Sequence, residues 1–246
     1  MTKIFTFLFF VCTLCVNINA QIIEKTPQKG VNCIYNIAKS ENINEGKSGK
    51  NQTWDMTHIT DSSSGNMVTY NNVENTPFEK QFPNANLVSI TTPLLGGLLQ
   101  NKNMYAYFKY DSLQKVIYSY GGTMNGQVLK YDKPCIAYKF PFAINDELND
   151  TFTASLMGMQ CSGDIHTKAD ASGKLKLPFG TFEVLRVKSS QMIKISMGGM
   201  EMITITTTYS FYNPEYFSPL VTINYVKNMD QLGESISLKF VKYYQP

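Results

Sequence analysis

The chain has 246 residues, 43% of them apolar and 17% charged, with a formal net charge of +3. Charge is leaner than the roughly 25% of an average globular chain. The aromatic share, 13%, is too high for a disordered chain, and the basic excess of a nucleic-acid binder is missing. The length suits one all-β domain, which runs to about 250 residues, or two small ones.

Met1-Thr2-Lys3 supplies one positive charge ahead of the apolar run Ile4–Val16, and Ala20 stands where a small residue would be cut. That order predicts a secretory signal peptide, because a membrane-spanning helix needs about 20 apolar residues. We therefore expect residues 1–20 to be an export signal and residues 21–246 a single β-rich domain. No transmembrane anchor is expected in the mature chain, which would lie in the periplasm or outside the cell. Neither Cys12 nor Cys15 stands in a lipidation context, and both leave with the signal, so Cys33, Cys135 and Cys161 remain. In an oxidising compartment Cys135 and Cys161 are the better pair for a disulfide; three buried thiols are the other outcome.

Residues 21–66 form a polar N-terminal segment, and Ser40–Gly65 is rich in Asn, Ser, Gly and Lys. Trp54, the one tryptophan, is expected to anchor a loop or first strand to the core. Pro77–Phe82 predicts a turn or two of helix. From Ala85 onward the period is two. Lys174–Leu177, Ile193–Met197, Val221–Tyr225 and Ile236–Phe240 alternate apolar with polar residues, which predicts strands with one face in the core and one in water. Asp111-Ser112, Gly121-Gly122, Asn125-Gly126, Ser172-Gly173 and Gly198-Gly199 read as turns between them. The Gly198-Gly199 pair predicts a hairpin. The fold class is all-β, or nearly so: an antiparallel meander forming a curved sheet, half-barrel or sandwich, with little helix.

Catalytic signatures are missing. The two histidines, His58 and His166, belong to no zinc motif. Cys161 and His166 are five residues apart in a strand run, which puts them on opposite faces. No nucleophile elbow, phosphate loop or dinucleotide fingerprint occurs. Asn145–Asp150 is acidic, but it lacks the spacing of a calcium loop and reads as a solvated connection. We expect no cofactor and no enzyme activity. Methionine is the unusual signal. Met157 and Met159 form one cluster, and Met197, Met200 and Met202 a second. Thioethers suit Cu(I), but methionine more often fills irregular core gaps or lines an adaptable apolar surface. Arg186, the one arginine, stands between Leu185 and Val187. It is expected either to face outward on the wet side of a sheet or to meet a ligand head group at a cavity mouth.

Three segments carry a likeness: Leu177–Lys188 (LPFGTFEVLRVK), Tyr209–Val221 (YSFYNPEYFSPLV) and Asn51–Asp55 (NQTWD). Together they resemble stretches of exported antiparallel-β proteins of Gram-negative bacteria. In architecture alone the chain is similar to periplasmic lipoprotein carriers, in which a curved sheet wraps an apolar cavity. The methionine and aromatic load of a strand-rich, exported chain predicts a non-catalytic binding protein that carries a hydrophobic or lipid-like small molecule, with Met157, Met159, Met197, Met200, Met202 and Arg186 as candidate ligand contacts. The alternative is a β-sandwich with a filled interior that contacts an envelope protein or glycan. An open interior favours carriage, and a filled one favours interaction.

Overall fold

The computed structural model describes residues 22–39, 42–94, 102–124, 126–156, 159–229 and 235–244. Its strands are β1 (Ile22–Ile23), β2 (Asn32–Ala38), β3 (Gly49–Asp55), β4 (Asp61–Asn71), β5 (Leu87–Pro93), β6 (Met104–Asp111), β7 (Val116–Met124) and β8 (Gln127–Lys139). They continue as β9 (Phe142–Ala143), β10 (Glu147–Leu156), β11 (Met159–Leu177), β12 (Gly180–Met197), β13 (Met200–Tyr212), β14 (Val221–Met229) and β15 (Ser235–Tyr244). The expected helical turn is a short 3-10 turn, Glu79–Gln81.

Twelve of the strands close a barrel. Around it run β2, β4, β5, β6, β7, β8, β10, β11, β12, β13, β14 and β15, and β15 pairs back onto β2. All neighbours in the ring are antiparallel, and ring order is chain order, so the predicted meander is present. It goes further than a half-barrel or sandwich, because the first and last strands satisfy each other's backbone groups and leave the ring no open edge. β3 lies outside the ring and runs parallel to the C-terminal half of β11, from Ala171↔Gly49 to Lys176↔Asp55.

Local sequence explains the turns. Gly198 and Gly199 have φ of 56° and 85°, the doubly positive pair that a tight hairpin needs, and they join β12 to β13 with Met197 opposite Met200. Two expected turns lie inside strands instead. Gly121-Gly122 sits within β7 at a register shift against β8, and Ser172-Gly173 within β11 where β3 docks. At Gly121 a Cβ would stand 2.0 Å from the Leu129 carbonyl oxygen. These glycines admit a close neighbouring backbone in a bent strand. Glu147–Asp150, expected in a loop, begins β10.

The barrel wall is buried on both faces in places. Residues 42–60, which include β3, form a strap across its outer side. There Ile43, Trp54, Met56 and Ile59 pack on Val184, Phe211, Val221, Ile223 and Val241. Trp54 is 4% exposed and meets Phe211 edge-on at 5.1 Å, as expected of an anchor. A second outer patch, Val73 and Phe82, covers Val88 and Tyr107, with the Phe82 and Tyr107 rings stacked at 4.2 Å. Inside, Phe140, Phe142, Leu185 and Tyr212 fill one end, with Phe217 of the β13–β14 connection packed against them. Phe152, Cys135, Cys161 and Ala154 form a further inner cluster nearer the other end.

Candidate functional site in the barrel lumen

Strand register decides what points inward. On β12 Val187, Ser189 and Gln191 face the lumen, while Val184 and Arg186 face the strap. Their partners on β13, Ser210, Thr208 and Thr206, face inward too. The lumen holds a cavity of about 330 Å³, within the range of about 300–1,000 Å³ typical of small-molecule sites. Its walls are two-sided. Phe108, Tyr131, Tyr138, Phe140, Leu148 and Ile165 make an apolar and aromatic arc. Thr167, Ser189, Gln191, Thr206, Thr208 and Ser210 make a polar arc opposite. The lining side chains include no carboxylate, and Lys139 borders the space from an exposed position.

The polar arc is held by its own hydrogen bonds. Thr167 Oγ1 and Ser189 Oγ are 3.0 Å apart, and Thr208 Oγ1 donates to Asn224 Oδ1 at 2.9 Å. Tyrosine hydroxyls stand beside this arc: Tyr138 neighbours Tyr212, Tyr212 neighbours Ser210, and Tyr131 neighbours Ser119. Tyr138 keeps 36% of its surface accessible, and it lines the cavity. Enclosure in the protein still pushes its phenol pKa up. Burial likewise raises Tyr35, Tyr70 and Tyr212, and the neighbouring phenols add to this. These four tyrosines and the threonines of β13 were not singled out from sequence. The alternation there was visible, but an even split between apolar and polar faces does not say which face is inside.

The antiparallel register places the β5–β6, β7–β8, β10–β11, β12–β13 and β14–β15 connections at one end of the barrel, the mouth. Met159 begins β11 there, and Met200 and Met202 lie at the start of β13. Register puts all three on the inward side: Met202 pairs with Ile195, and Met159 lies two residues from the buried Cys161. Met200 and Met202 are 58% and 46% exposed. The candidate methionines therefore rim the mouth rather than line the cavity. Met197 pairs with Met200 in the same hairpin, and Met157 lies outside the described residues. Among the described residues no group of three or more His, Cys, Asp or Glu is placed to hold a metal ion.

Arg186 is neither at the mouth nor on a wet face. It points to the outer side of the wall but is sealed under the strap, at 1% exposure. Its Nε and Nη2 donate to the two Asp170 carboxylate oxygens at 2.9 and 2.8 Å. Nη1 donates to the carbonyls of Glu45 and Gly46, and Tyr209 stands under the guanidinium at 5.2 Å. The strap supplies the polar partners that make burial of the cation tolerable. Cys135 and Cys161 are brought into one buried cluster as free thiols. Burial, with the Asp150 charge adding, pushes Cys135 up to about 11. Cys161 faces inward, while His166 faces outward and bonds Asn149 at 2.6 Å, so the two do stand on opposite faces.

Comparison with protein-family models, with curated proteins and with solved structures gives no match. The likeness to exported β proteins and to lipoprotein carriers thus reaches as far as an all-β antiparallel barrel.

Proposed function

We propose that this protein is an exported carrier that encloses a small hydrophobic molecule in the barrel lumen and does no chemistry on it. The enclosed space carries the reading: about 330 Å³ between an aromatic wall and a hydroxyl wall. A filled sandwich core would have favoured an interaction module instead. Apolar surface on one arc supplies affinity at about 25 cal/mol per Å² buried, and the hydroxyls opposite orient a polar end. The methionine rim suits entry, since thioether side chains adapt to varied apolar shapes.

The outer wall supports a barrel surrounded by water. Outward positions on β10 to β13 carry Glu147, Lys168, Lys194 and Glu201, paired as Lys168–Glu147 at 3.5 Å and Lys194–Glu201 at 2.6 Å. A lysine facing lipid at mid-membrane costs about 2–4 kcal/mol. Organic extraction of the purified protein followed by mass spectrometry is expected to release a lipophilic compound. A ligand-free protein with no affinity for lipophilic dyes would overturn the proposal.

A further inference from the structure

On the inward side of β15, next along the wall from the residues that line the cavity, stands a lysine with no acid beside it among the described residues. β15 alternates, with Val241 and Tyr243 packed outward under the strap, so Lys242 between them takes the inward side. Its register partners are Thr222 on β14 and Ile37 on β2. Thr222 pairs with Ser210, and Ser210 with Val187, both of which line the cavity. Lys242 thus stands in the same transverse row as two wall residues. It lies two strands from Ser210, about 10 Å along the wall at ordinary strand spacing.

Among the described residues no ion pair or hydrogen bond reaches its ammonium, which stands 5.6 Å from the centre of the Phe240 ring. Its outward neighbour Lys239 is treated differently, with the Ile43 carbonyl and the Tyr225 ring as partners. Burial alone pushes the Lys242 pKa down, with no acid beside it to hold the charge. An enclosed charge without a counter-ion is costly, and the cavity lining has hydroxyls but no carboxylate. The open side of the lumen lies along the same strand: Leu238, also on the inward side, is 55% exposed.

We infer that the lumen selects an amphiphile with a singly charged acid head group, a carboxylate on an alkyl or aromatic body, whose anion is received by Lys242 beside Thr222 and Ser210. The apolar body lies along Phe108, Tyr138 and Phe140. The Lys242 ammonium matches one negative charge, Lys139 at the cavity border being exposed to water, and hydroxyl donors complete the shell of a carboxylate. This inference rests on the carriage reading and adds the ligand's charge to it.

Decanoate and 1-decanol share a chain and differ in head group, so titration calorimetry with both separates the two ideas. Wild-type protein is expected to bind decanoate about tenfold or more tightly than decanol, the ratio expected when a charge-assisted contact is lost. Lys242→Met is expected to remove the preference for the acid, and Lys242→Arg to keep it. As a check that needs no variant, lysines are reductively methylated with 13C, and one methyl resonance should shift on adding decanoate but not decanol. Equal binding of acid and alcohol, or a Lys242→Met protein that keeps the preference, overturns the inference and leaves carriage standing. Binding of neither probe by folded protein overturns both.

Discussion

Arg186 shows how one residue ties two layers together. Its fork meets the Asp170 carboxylate on the neighbouring strand, and its remaining donor reaches the strap carbonyls at Glu45 and Gly46. Removing the guanidinium leaves Asp170 charged and enclosed. Arg186→Met is expected to lower unfolding free energy by about 3–5 kcal/mol, measured by urea titration. Arg186→Met with Asp170→Leu should recover much of that loss, since no lone charge then remains. Lysine is a poor substitute because a point charge cannot fork to two oxygens. The thiols follow from burial in the same way. With a pKa of about 11, Cys135 is thiolate in about one molecule per thousand at pH 8. Native protein should therefore resist iodoacetamide at Cys135, and urea-unfolded protein should label at once; rapid native labelling would contradict the packing described.

Among the elements, the β8–β10 junction is the thin place in the ring. Its register comprises only Thr153↔Lys133 and Ala154↔Tyr131, with an irregularity between them. A side chain replaces missing ladder bonds: the Asp150 carboxylate accepts the Ile136 N–H at 2.8 Å and meets Lys133 at 3.5 Å. Partial burial would raise the Asp150 pKa, but the Ile136 and Thr151 N–H groups and the Lys133 ammonium outweigh this and hold it below the usual value. A depressed folded pKa stabilises above the unfolded value, near 3.9, and that contribution is lost as pH falls below it. Asp150→Ala should cost about 1–3 kcal/mol and speed amide exchange at Ile136. Opposite Gly163 the Phe152 ring fills the place of a side chain, and a Cβ there would meet it at 2.2 Å. Gly163→Ala should cost about 1–3 kcal/mol through overpacking.

The same scale shows what the sequence could disclose. Alternation located the strands from β11 to β15, and the glycine pair located the β12–β13 hairpin. It did not give the side. In β14 the apolar residues Val221 and Ile223 face outward under the strap, and Thr222 and Asn224 face the lumen. In β12 the apolar residues Ile193 and Ile195 face inward. The apolar face changes sides because the strap buries one stretch of outer wall and not the rest. Residues 42–60 read as a polar segment, since its buried apolar side chains are few: Ile43, Trp54, Met56 and Ile59. Lys242 was equally hidden, as one of 22 basic residues in a strand whose inward face only the register reveals.

At the scale of the whole molecule, the enclosed phenols set the alkaline limit. Burial raises Tyr35, Tyr70, Tyr138 and Tyr212 above the ordinary value near 10. An acid whose folded pKa is raised stabilises fully below its unfolded pKa, and that stability is lost as pH rises from there toward the folded value. The melting temperature should hold between about pH 6 and 9 and fall above about pH 10. Phenolate absorbance should appear in two stages, exposed tyrosines first and enclosed ones on unfolding. A single stage at the ordinary value would contradict the enclosure.

The ring order carries a consequence in time. Each wall strand pairs with its predecessor, so most of the barrel can assemble by adding one hairpin to the last. The exception is β15 against β2, held by register pairs from Val241↔Ala38 to Tyr244↔Tyr35, which must bring together opposite ends of the chain. Contacts of such long range are formed late and slowly, because loop entropy is lost before they return anything. The strap shortens that search. It leaves β2, crosses to Lys239 and Arg186 on the C-terminal strands, and returns to β4. A strap docked early in folding would bring the N-terminal strands beside β15. Until that final pairing forms, the row holding Lys242 stays open to water.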